Sequence, residues 1–286
     1  MKRIKYICLA VLCVVMAGCR TETVDLNQEV LNEEFREDNT LENVEMVINT
    51  EDITEVPEVA DIPDITESEV VQTQYISIDL STAKETYAEG NPVTPLNLEV
   101  VSKEDNGIDW AYEWYENKKL SLPMIGDDWD FFYDETYEYL WKLDQLSVFE
   151  KETGNCIYIL DYPSDKWYVN GNNAYLKDGI FYGASVFNGY AQADTCFLFA
   201  SDLINDKLLW RSADQSCNTM NFVVKGDIIL CGYGFTSEKD YLYQINRTTG
   251  EIIDRLELAS KPDLLVEQDG KLYVHTYNCN YVIEME

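Results

Sequence analysis

The chain has 286 residues, with 53 acidic and 21 basic side chains, one histidine and a formal net charge of −32. This acidity disfavours nucleic acid as a partner, and a single histidine excludes every site that needs two imidazoles. With 46% apolar and 13% aromatic residues, part of the chain must nevertheless bury a sizeable core.

The N-terminus carries a secretory signal. Basic residues open the chain, residues 6–17 are almost purely apolar, and Met16-Ala17-Gly18-Cys19 ends the run. The run is too short for a membrane-spanning helix. Its end resembles the lipobox of bacterial lipoproteins, in which the cysteine becomes the new N-terminus and carries acyl chains such as palmitate. The resemblance implies a signal peptide over residues 1–18 and lipidation of Cys19.

Acyl chains on Cys19 would hold the protein stably at a membrane, because each buried methylene contributes about 0.8 kcal/mol. We therefore expect a lipid-anchored protein on the extracytoplasmic face of a bacterial cell membrane or outer membrane. Arg20 stands where the family places an aspartate for retention in the inner membrane. In a host with two membranes this favours the outer membrane, but the sequence leaves the type of envelope open.

An acidic linker follows over residues 19–72. The stretch from Arg20 to Gln72 contains 17 acidic and two basic residues, and it shows neither helical nor strand periodicity. Repulsion between like charges should keep it extended, which predicts a disordered tether between the anchor and a folded domain. The alternative interpretation is a calcium-binding or adhesive tail.

From about Tyr75 onward, apolar runs alternate with Gly, Asn and Asp turns, which is typical of an all-β fold. Three hairpins share one pattern, an apolar strand, a Lys-Asp-Gly-type turn and a second apolar strand. The hairpins are Ala174–Val186, Asn221–Tyr233 and Asp263–Tyr277, with turn glycines Gly179, Gly226 and Gly270. The glycines are 47 and 44 residues apart, a spacing typical of β-propeller blades.

A second repeated element lies between these hairpins. Leu198–Trp210 aligns without gaps on Leu242–Asp254, which lies 44 residues later, and Leu146–Tyr158 aligns on the same segment at 96 residues. Each copy is a strand, a polar turn and another strand. We interpret the copies as the last two strands of four-stranded blades.

These repeats resemble the quinoprotein-type (PQQ-like) propeller repeat, which has a strand, a Thr-Gly turn such as Thr249-Gly250-Glu251, and a strand that often ends in Trp, as at Trp210. The resemblance covers about Asp128 to Glu286. It implies an all-β fold, a small β-propeller of about four blades over residues 73–286. WD-type and kelch-type blades are also compatible with the spacing, although their own motifs are missing.

The resemblance does not bring the enzymology of the quinoproteins with it. Their dehydrogenases commonly place an adjacent cysteine pair over the cofactor, whereas the cysteines here are isolated in sequence. We therefore predict no cofactor, no metal site and no catalytic residue. The nearer comparison is with non-enzymatic lipoproteins built on these repeats, which implies a binding or scaffold protein with an envelope protein or polymer as partner. The alternative is a carbohydrate-active enzyme that uses a carboxylate pair.

Closure of the ring needs one more strand. The fourth repeat stops at Tyr281–Glu284, so its last strand is missing from the C-terminus. Tyr75–Leu80 alternates apolar and polar residues, and we predict that it pairs beside Asn280–Met285 and closes the ring, because an open ring exposes strand edges. The rival arrangement is a half-ring that dimerises through its edges.

Two further features have structural and functional interpretations. Asp127–Glu135 combines five carboxylates with four aromatic residues, yet it lacks the pattern of a calcium loop. We interpret Trp129, Phe131 and Tyr133 as one face of a strand in the first blade. His275, in a strand with Tyr273 and Tyr277, is more typical of a packed strand histidine than of a ligand.

Five cysteines follow Cys19, an odd number that allows at most two disulfides. They are Cys156, Cys196, Cys217, Cys231 and Cys279. The sequence places Cys217 and Cys231 on the two strands of the hairpin around Gly226, in imperfect register. We leave the pairing open, because buried cysteines also serve as small apolar core residues.

Overall fold

The computed structural model describes residues 71–106, 112–120, 131–142, 145–161, 173–186, 192–235 and 238–286. In these ranges the chain forms strands, one short helix and four small sheets, which are arranged as the blades of a β-propeller. The predicted fold class is therefore confirmed. The predictions for the signal peptide, for Cys19 and for residues 19–70 of the linker lie outside the described residues.

The elements follow the repeats closely. Two strands come first, β1 (Gln74–Ser77) and β2 (Leu98–Asp105), and then the helix α1 (Tyr112–Lys118). The first blade contains β3 (Phe131–Tyr133), β4 (Tyr137–Lys142), β5 (Gln145–Glu150) and β6 (Cys156–Asp161). The second contains β7 (Ala174–Lys177), β8 (Ile180–Ser185), β9 (Phe197–Asp202) and β10 (Lys207–Arg211). The third contains β11 (Val223–Lys225), β12 (Ile228–Tyr233), β13 (Asp240–Asn246) and β14 (Ile252–Leu258). The fourth contains β15 (Pro262–Gln268), β16 (Lys271–Thr276) and β17 (Cys279–Met285).

The three hairpins predicted from the sequence are β7–β8, β11–β12 and β15–β16. Their turn glycines Gly179, Gly226 and Gly270 have φ angles of 76°, 61° and 76°. Glycine adopts this left-handed region without the steric cost of a Cβ, so it suits these turn positions. These hairpin predictions are confirmed.

A polar side chain caps the turn between the last two strands of a blade. The Oδ1 atom of Asp202 accepts hydrogen bonds from the backbone N–H groups of Ile204 and Asn205, both at 3.0 Å. Asn246 stands at the equivalent position one repeat later, and its Oδ1 accepts from the N–H of Thr248 at 2.9 Å. This local bonding explains the Asp or Asn at the end of the third strand in the second and third blades, where the first blade has Glu150.

The core consists of apolar clusters between successive blades, and β9 shows how they share the sheets. Phe197 and Phe199 pack toward the first blade, whereas Leu198 and Ala200 pack toward the third. Both faces of β9 are therefore buried, which explains its continuous apolar sequence. A third cluster joins the third and fourth blades through residues such as Leu230, Leu242, Leu265 and Val274.

The other face of the fourth blade packs against α1. Tyr115 of α1 is buried against Val266, with Trp114 and Tyr273 beside it. The Tyr115 ring also meets His275 edge to face, with the ring centroids 6.3 Å apart.

No helix among the described residues is long and apolar enough to cross a lipid bilayer.

A strand from the N-terminal part of the chain completes the fourth blade, but it is not the predicted one. β2 pairs antiparallel with β17 over seven residue pairs, whereas β1 adds to the first blade as a parallel partner of β6. The prediction that Tyr75–Leu80 pairs beside the C-terminal strand is therefore wrong. Ile78 and Leu80 are buried in the cluster of the first two blades, and this burial holds the segment there.

Residues 71–106 contact all four blades in order, and we call this segment the belt. After β1, Thr86 exchanges two backbone hydrogen bonds with Arg211 of the second blade, at 3.0 and 2.9 Å. The side chain of Gln244 in the third blade bonds both the N–H and the C=O of Leu96, at 2.8 and 2.9 Å. β2 then ends the belt on the fourth blade. A single continuous segment thus contacts every blade.

The aromatic strand of the first blade faces the opposite way from the prediction. Phe132 is the buried residue, 3% exposed and stacked on Tyr139 at 4.8 Å between ring centroids, whereas Tyr133 is 44% exposed. The sequence alternates aromatic residues on both faces of this strand, so the pattern alone does not select the inner face. Trp129 lies outside the described residues.

Candidate functional site

The two ends of the propeller are formed by different connections. In an antiparallel blade, the turns between the first and second strands and between the third and fourth strands lie at one end, which we call the turn end. The connections between blades lie at the other end with the loops between second and third strands, and we call it the loop end. Buried polar side chains at the loop end are bonded inside the fold, whereas exposed apolar side chains flank a cavity at the turn end.

Asparagines at the loop end join the second blade to the third and the third blade to the fourth. The amide of Asn221, just before β11, donates to the C=O of Leu265 at 2.7 Å and accepts from its N–H at 2.9 Å. Asn173, just before β7, donates to the C=O of Thr219 at 3.1 Å. Because the partners are 44 and 46 residues apart, each bond spans one repeat. Sequence reasoning missed these residues, although their position before the first strand of a blade was a usable signal.

The crossover from the second to the third blade, Ser212–Phe222, is fixed in the same way. Asn218 donates through its amide to the C=O of Gly234 at 2.7 Å, and its backbone N–H donates to the C=O of Gly232 at 2.7 Å. Ser212 and Ser216 share a hydrogen bond of 2.8 Å between their hydroxyls. These side chains are buried and satisfied, so their role is structural.

His275 belongs to a closed network in the fourth blade. Its Nδ1 lies 2.7 Å from Oδ1 of Asn280, so this nitrogen is assigned the proton and donates it. The amide of Asn106, from the end of the belt, donates to Oδ1 of Asn280 and to the C=O of Thr276, at 3.2 and 3.0 Å. His275 is thus a buried, bonded strand residue, which confirms the sequence interpretation.

Two carboxylates, Glu238 and Asp240, lie close together where the loop after β12 enters β13. Burial, together with the charge of Glu238, raises the pKa of Asp240 from 3.8 to about 6. The hydroxyl of Tyr233 donates to Oε1 of Glu238 at 3.1 Å, whereas Oδ1 of Asp240 is buried and has no hydrogen-bond partner among the described residues. A Cβ on Gly234 would collide with that atom. Asp240 is therefore a pH-sensitive residue at the start of β13.

A cavity of about 240 Å³ opens at the turn end between the first and second blades. Its lining combines aromatic, aliphatic and amide side chains with one carboxylate: Val71, Gln72, Gln74, Tyr137, Glu150, Ile157, Tyr158, Leu176 and Gly179. Ile204 lies directly over Gly179 and is 72% exposed, and Val71 is 45% exposed. We call this cavity, together with the exposed apolar side chains beside it, the turn-end patch and treat it as the candidate interaction surface.

The electrostatic surroundings of this patch are acidic. The pKa of Tyr137 is raised by burial and then by the charges of Glu150 and Asp134. Asp134 itself caps the β3–β4 turn, where its Oδ1 accepts from the N–H groups of Thr136 and Tyr137, both at 2.7 Å.

A second cavity, of about 320 Å³, lies on the outer rim between the belt and β14.

The predicted site residues have different outcomes. Cys19 and Asp127–Asp130 lie outside the described residues, so lipidation stays a prediction. In the described ranges, no group of three or more His, Cys, Asp or Glu side chains is arranged to hold a metal ion.

All five cysteines after Cys19 carry free thiols in this structure. The predicted placement of Cys217 in the β11–β12 hairpin is wrong, because β11 begins only at Val223. Cys217 lies instead in the crossover that precedes this strand. The crossover has no strand periodicity of its own, so nothing in the local pattern marks where β11 starts.

No protein-family model matches the chain, and no curated protein matches it. Solved structures do match parts of it. BamB from Moraxella catarrhalis is 12% identical, with a TM-score of 0.30, over 53% of this chain and 56% of that one. The dihydro-heme d1 dehydrogenase NirN, solved in complex with DHE, is 14% identical, with a TM-score of 0.35, over 54% and 34% of the two chains.

Hydrazine synthase from Kuenenia stuttgartiensis is 10% identical, with a TM-score of 0.34, over 49% of this chain and 40% of that one. The matched region therefore spans between about a third and just over half of these solved chains. The blade assignment given above rests on the strand pairing of the chain itself.

Proposed function

We propose that this chain is a lipid-anchored, extracytoplasmic binding or scaffold protein of a bacterial envelope, whose propeller holds another envelope protein or polymer without chemical turnover. The observation that carries the proposal is the contrast between the two ends. Loop-end side chains such as Asn218, Asn221 and His275 are bonded inside the fold. Exposed apolar groups with no such internal role flank the cavity of the turn-end patch.

The chemistry of the turn-end patch defines the partner. Ile204 and Val71 offer apolar contact area, and Glu150 places a negative charge in the cavity wall. Residues 73–286 contain 36 acidic and 16 basic side chains, so the wider surface is also negative. A partner that presents apolar and basic groups together fits this surface, and association should weaken as salt screens the charges.

The membrane anchor is supported by the motif Met16-Ala17-Gly18-Cys19. Radiolabelled palmitate should enter the wild-type chain, and Cys19→Ala should abolish the labelling and the maturation of the precursor. Cys13→Ala is the matched control, because Cys13 lies in the apolar run of the signal and should leave labelling intact. Unchanged labelling of Cys19→Ala would rule out anchoring at this residue.

Incubation of the full chain with a panel of glycans separates binding from carbohydrate-active catalysis. The proposal predicts either no interaction with a glycan or retention without new products. Release of shorter saccharides at a rate above a buffer control would instead establish an enzyme.

A further inference from the structure

Two buried thiols meet at the loop end of the third blade. Cys217 and Cys231 are both fully buried, in the apolar cluster between the second and third blades. Each thiol shifts the pKa of the other, so the two side chains lie close together. The thiol of Cys231 also lies 3.2 Å from the C=O of Ser216, the residue before Cys217. On the other side of Cys217, the N–H of Asn218 donates to the C=O of Gly232, the residue after Cys231, at 2.7 Å.

Contacts to the backbone on both sides of Cys217 thus bring the two cysteines next to each other. Contacts on both sides of Cys217 fall on Cys231 and its neighbour, so the crossover and β12 run side by side at this point. Disulfide bonds require such close approach of the two chain segments.

The surroundings also make the two thiols chemically different. Hydrogen bonds from Cys231 and from Thr219, whose Oγ1 lies 3.7 Å from the sulfur, lower the pKa of Cys217. Burial raises the pKa of Cys231. A thiolate is the attacking species in disulfide exchange, and the hydrogen bonds to Cys217 favour its thiolate form.

We propose that Cys217 and Cys231 form a disulfide bond that fastens the crossover Ser212–Phe222 to β12. The thiolate of Cys217 attacks one sulfur of a small-molecule or protein disulfide and releases one thiol. The thiolate of Cys231 then attacks the Cys217 sulfur of the mixed disulfide and releases the second thiol. Two protein thiols become one disulfide, and the disulfide of the oxidant is reduced to two thiols that keep the two protons.

The disulfide would form during folding, or while the crossover is open, because no oxidant reaches either sulfur while both are buried. The resulting loop would be short, 14 residues from one cysteine to the other. The disulfide lowers the conformational entropy of the unfolded chain, so the oxidised protein should be more stable than the reduced protein. The supply of oxidant in the cell rests on the proposed extracytoplasmic location, whereas the pairing itself does not.

The test is a peptide map of the full chain after refolding from denaturant in a glutathione redox buffer. We expect an intact mass lower by two hydrogen atoms, a linked peptide pair that contains Cys217 and Cys231, and a melting temperature several degrees higher than that of the reduced chain. Cys231→Ala should lose the mass change, and Cys279→Ala should keep it. The second sample is the chain isolated from membranes without reductant, with its free thiols alkylated and no refolding step. We expect the same peptide map from this sample.

Cys196 provides the competing outcome. Its C=O accepts a hydrogen bond from the N–H of Cys217 at 3.1 Å, so this cysteine is also close by. A linked peptide that contains Cys196, or full alkylation of both Cys217 and Cys231 in the refolded and the isolated chain, would overturn the proposal. Palmitate labelling does not depend on these thiols, so failure here is distinguishable from failure of the proposed function.

Discussion

Gly250 shows how tightly a single position of the repeat is constrained. Its φ angle is 82°, and a Cβ placed there would lie 2.6 Å from the buried ring of Trp210. That ring is held by a hydrogen bond from its Nε1 to the C=O of Arg247, at 3.1 Å. Gly250→Ala combines backbone strain with a steric clash, so we expect a loss of roughly 2–4 kcal/mol in the free energy of unfolding, measured by urea titration.

Gly154→Ala is the matched control. Gly154 occupies the aligned turn of the first blade with a φ angle of 71°, but no atom lies within 4 Å of a Cβ placed there. The variant carries only the left-handed backbone cost, about 1–2 kcal/mol. Equal losses in the two variants would contradict the packing of Trp210 against this turn.

Asp240 predicts a specific pH dependence. Its pKa in the folded protein, about 6, lies above the usual 3.8, so folding favours the protonated form. This residue therefore reduces stability as the pH rises from about 4 to 6, and the penalty persists above that range. Asp240→Asn should be more stable than wild type at pH 7 by about 1 kcal/mol, because partial exposure weakens the effect. The difference should vanish near pH 4 in urea titrations, and a difference independent of pH would refute the assignment.

At the scale of elements, local pattern predicted the hairpins but not the closing strand. β7–β8 and β11–β12 combine apolar strands with a glycine turn, and all of this information lies within a few residues. β2 reads Leu-Glu-Val-Val-Ser-Lys-Glu-Asp and is mostly exposed, so it shows no clean alternation. Its partner β17 lies at the other end of the chain. Only the need of β17 for a partner, a non-local condition, identifies β2.

The turn-end patch was beyond sequence reasoning for the same reason. Val71, Tyr137 and Leu176 come from the belt and from two different blades, and no spacing in the sequence relates them. The linking asparagines of the loop end were closer to prediction, because Asn173 and Asn221 recur at nearly the repeat spacing. Their hydrogen-bond partners could not be predicted without knowing how the blades are arranged.

The belt can be tested through one buried side chain. Ile78 is buried between the first two blades, and its N–H donates to the C=O of Asp161 at 2.7 Å. Ile78→Ala should lower the free energy of unfolding by roughly 2–4 kcal/mol in urea titrations, because it leaves a cavity. Tyr75→Ala is the control, since Tyr75 is 76% exposed and should change stability by less than about 0.5 kcal/mol. Similar effects of both changes would mean that the belt does not pack here.

At the scale of the whole molecule, the belt sets the boundary of the folded part. The sequence predicts a protease-resistant fragment that begins between Gln72 and Asp109. Since β1 and β2 both pair with blades, we expect limited proteolysis to stop near Gln72 and mass spectrometry to find β1 in the stable fragment. A stable fragment that begins after Asp105 would show that the propeller does not need the belt.

The most direct test of the account is a pull-down with the tagged full chain from solubilised membranes of its own host. Three baits are compared: wild type, Ile204→Glu at the turn-end patch, and Tyr277→Glu, whose tyrosine is 57% exposed at the loop end. We predict an envelope partner that wild type and Tyr277→Glu retain equally, that high salt releases, and that Ile204→Glu retains about tenfold less. Equal retention by Ile204→Glu, or no partner above an untagged control, would contradict the account.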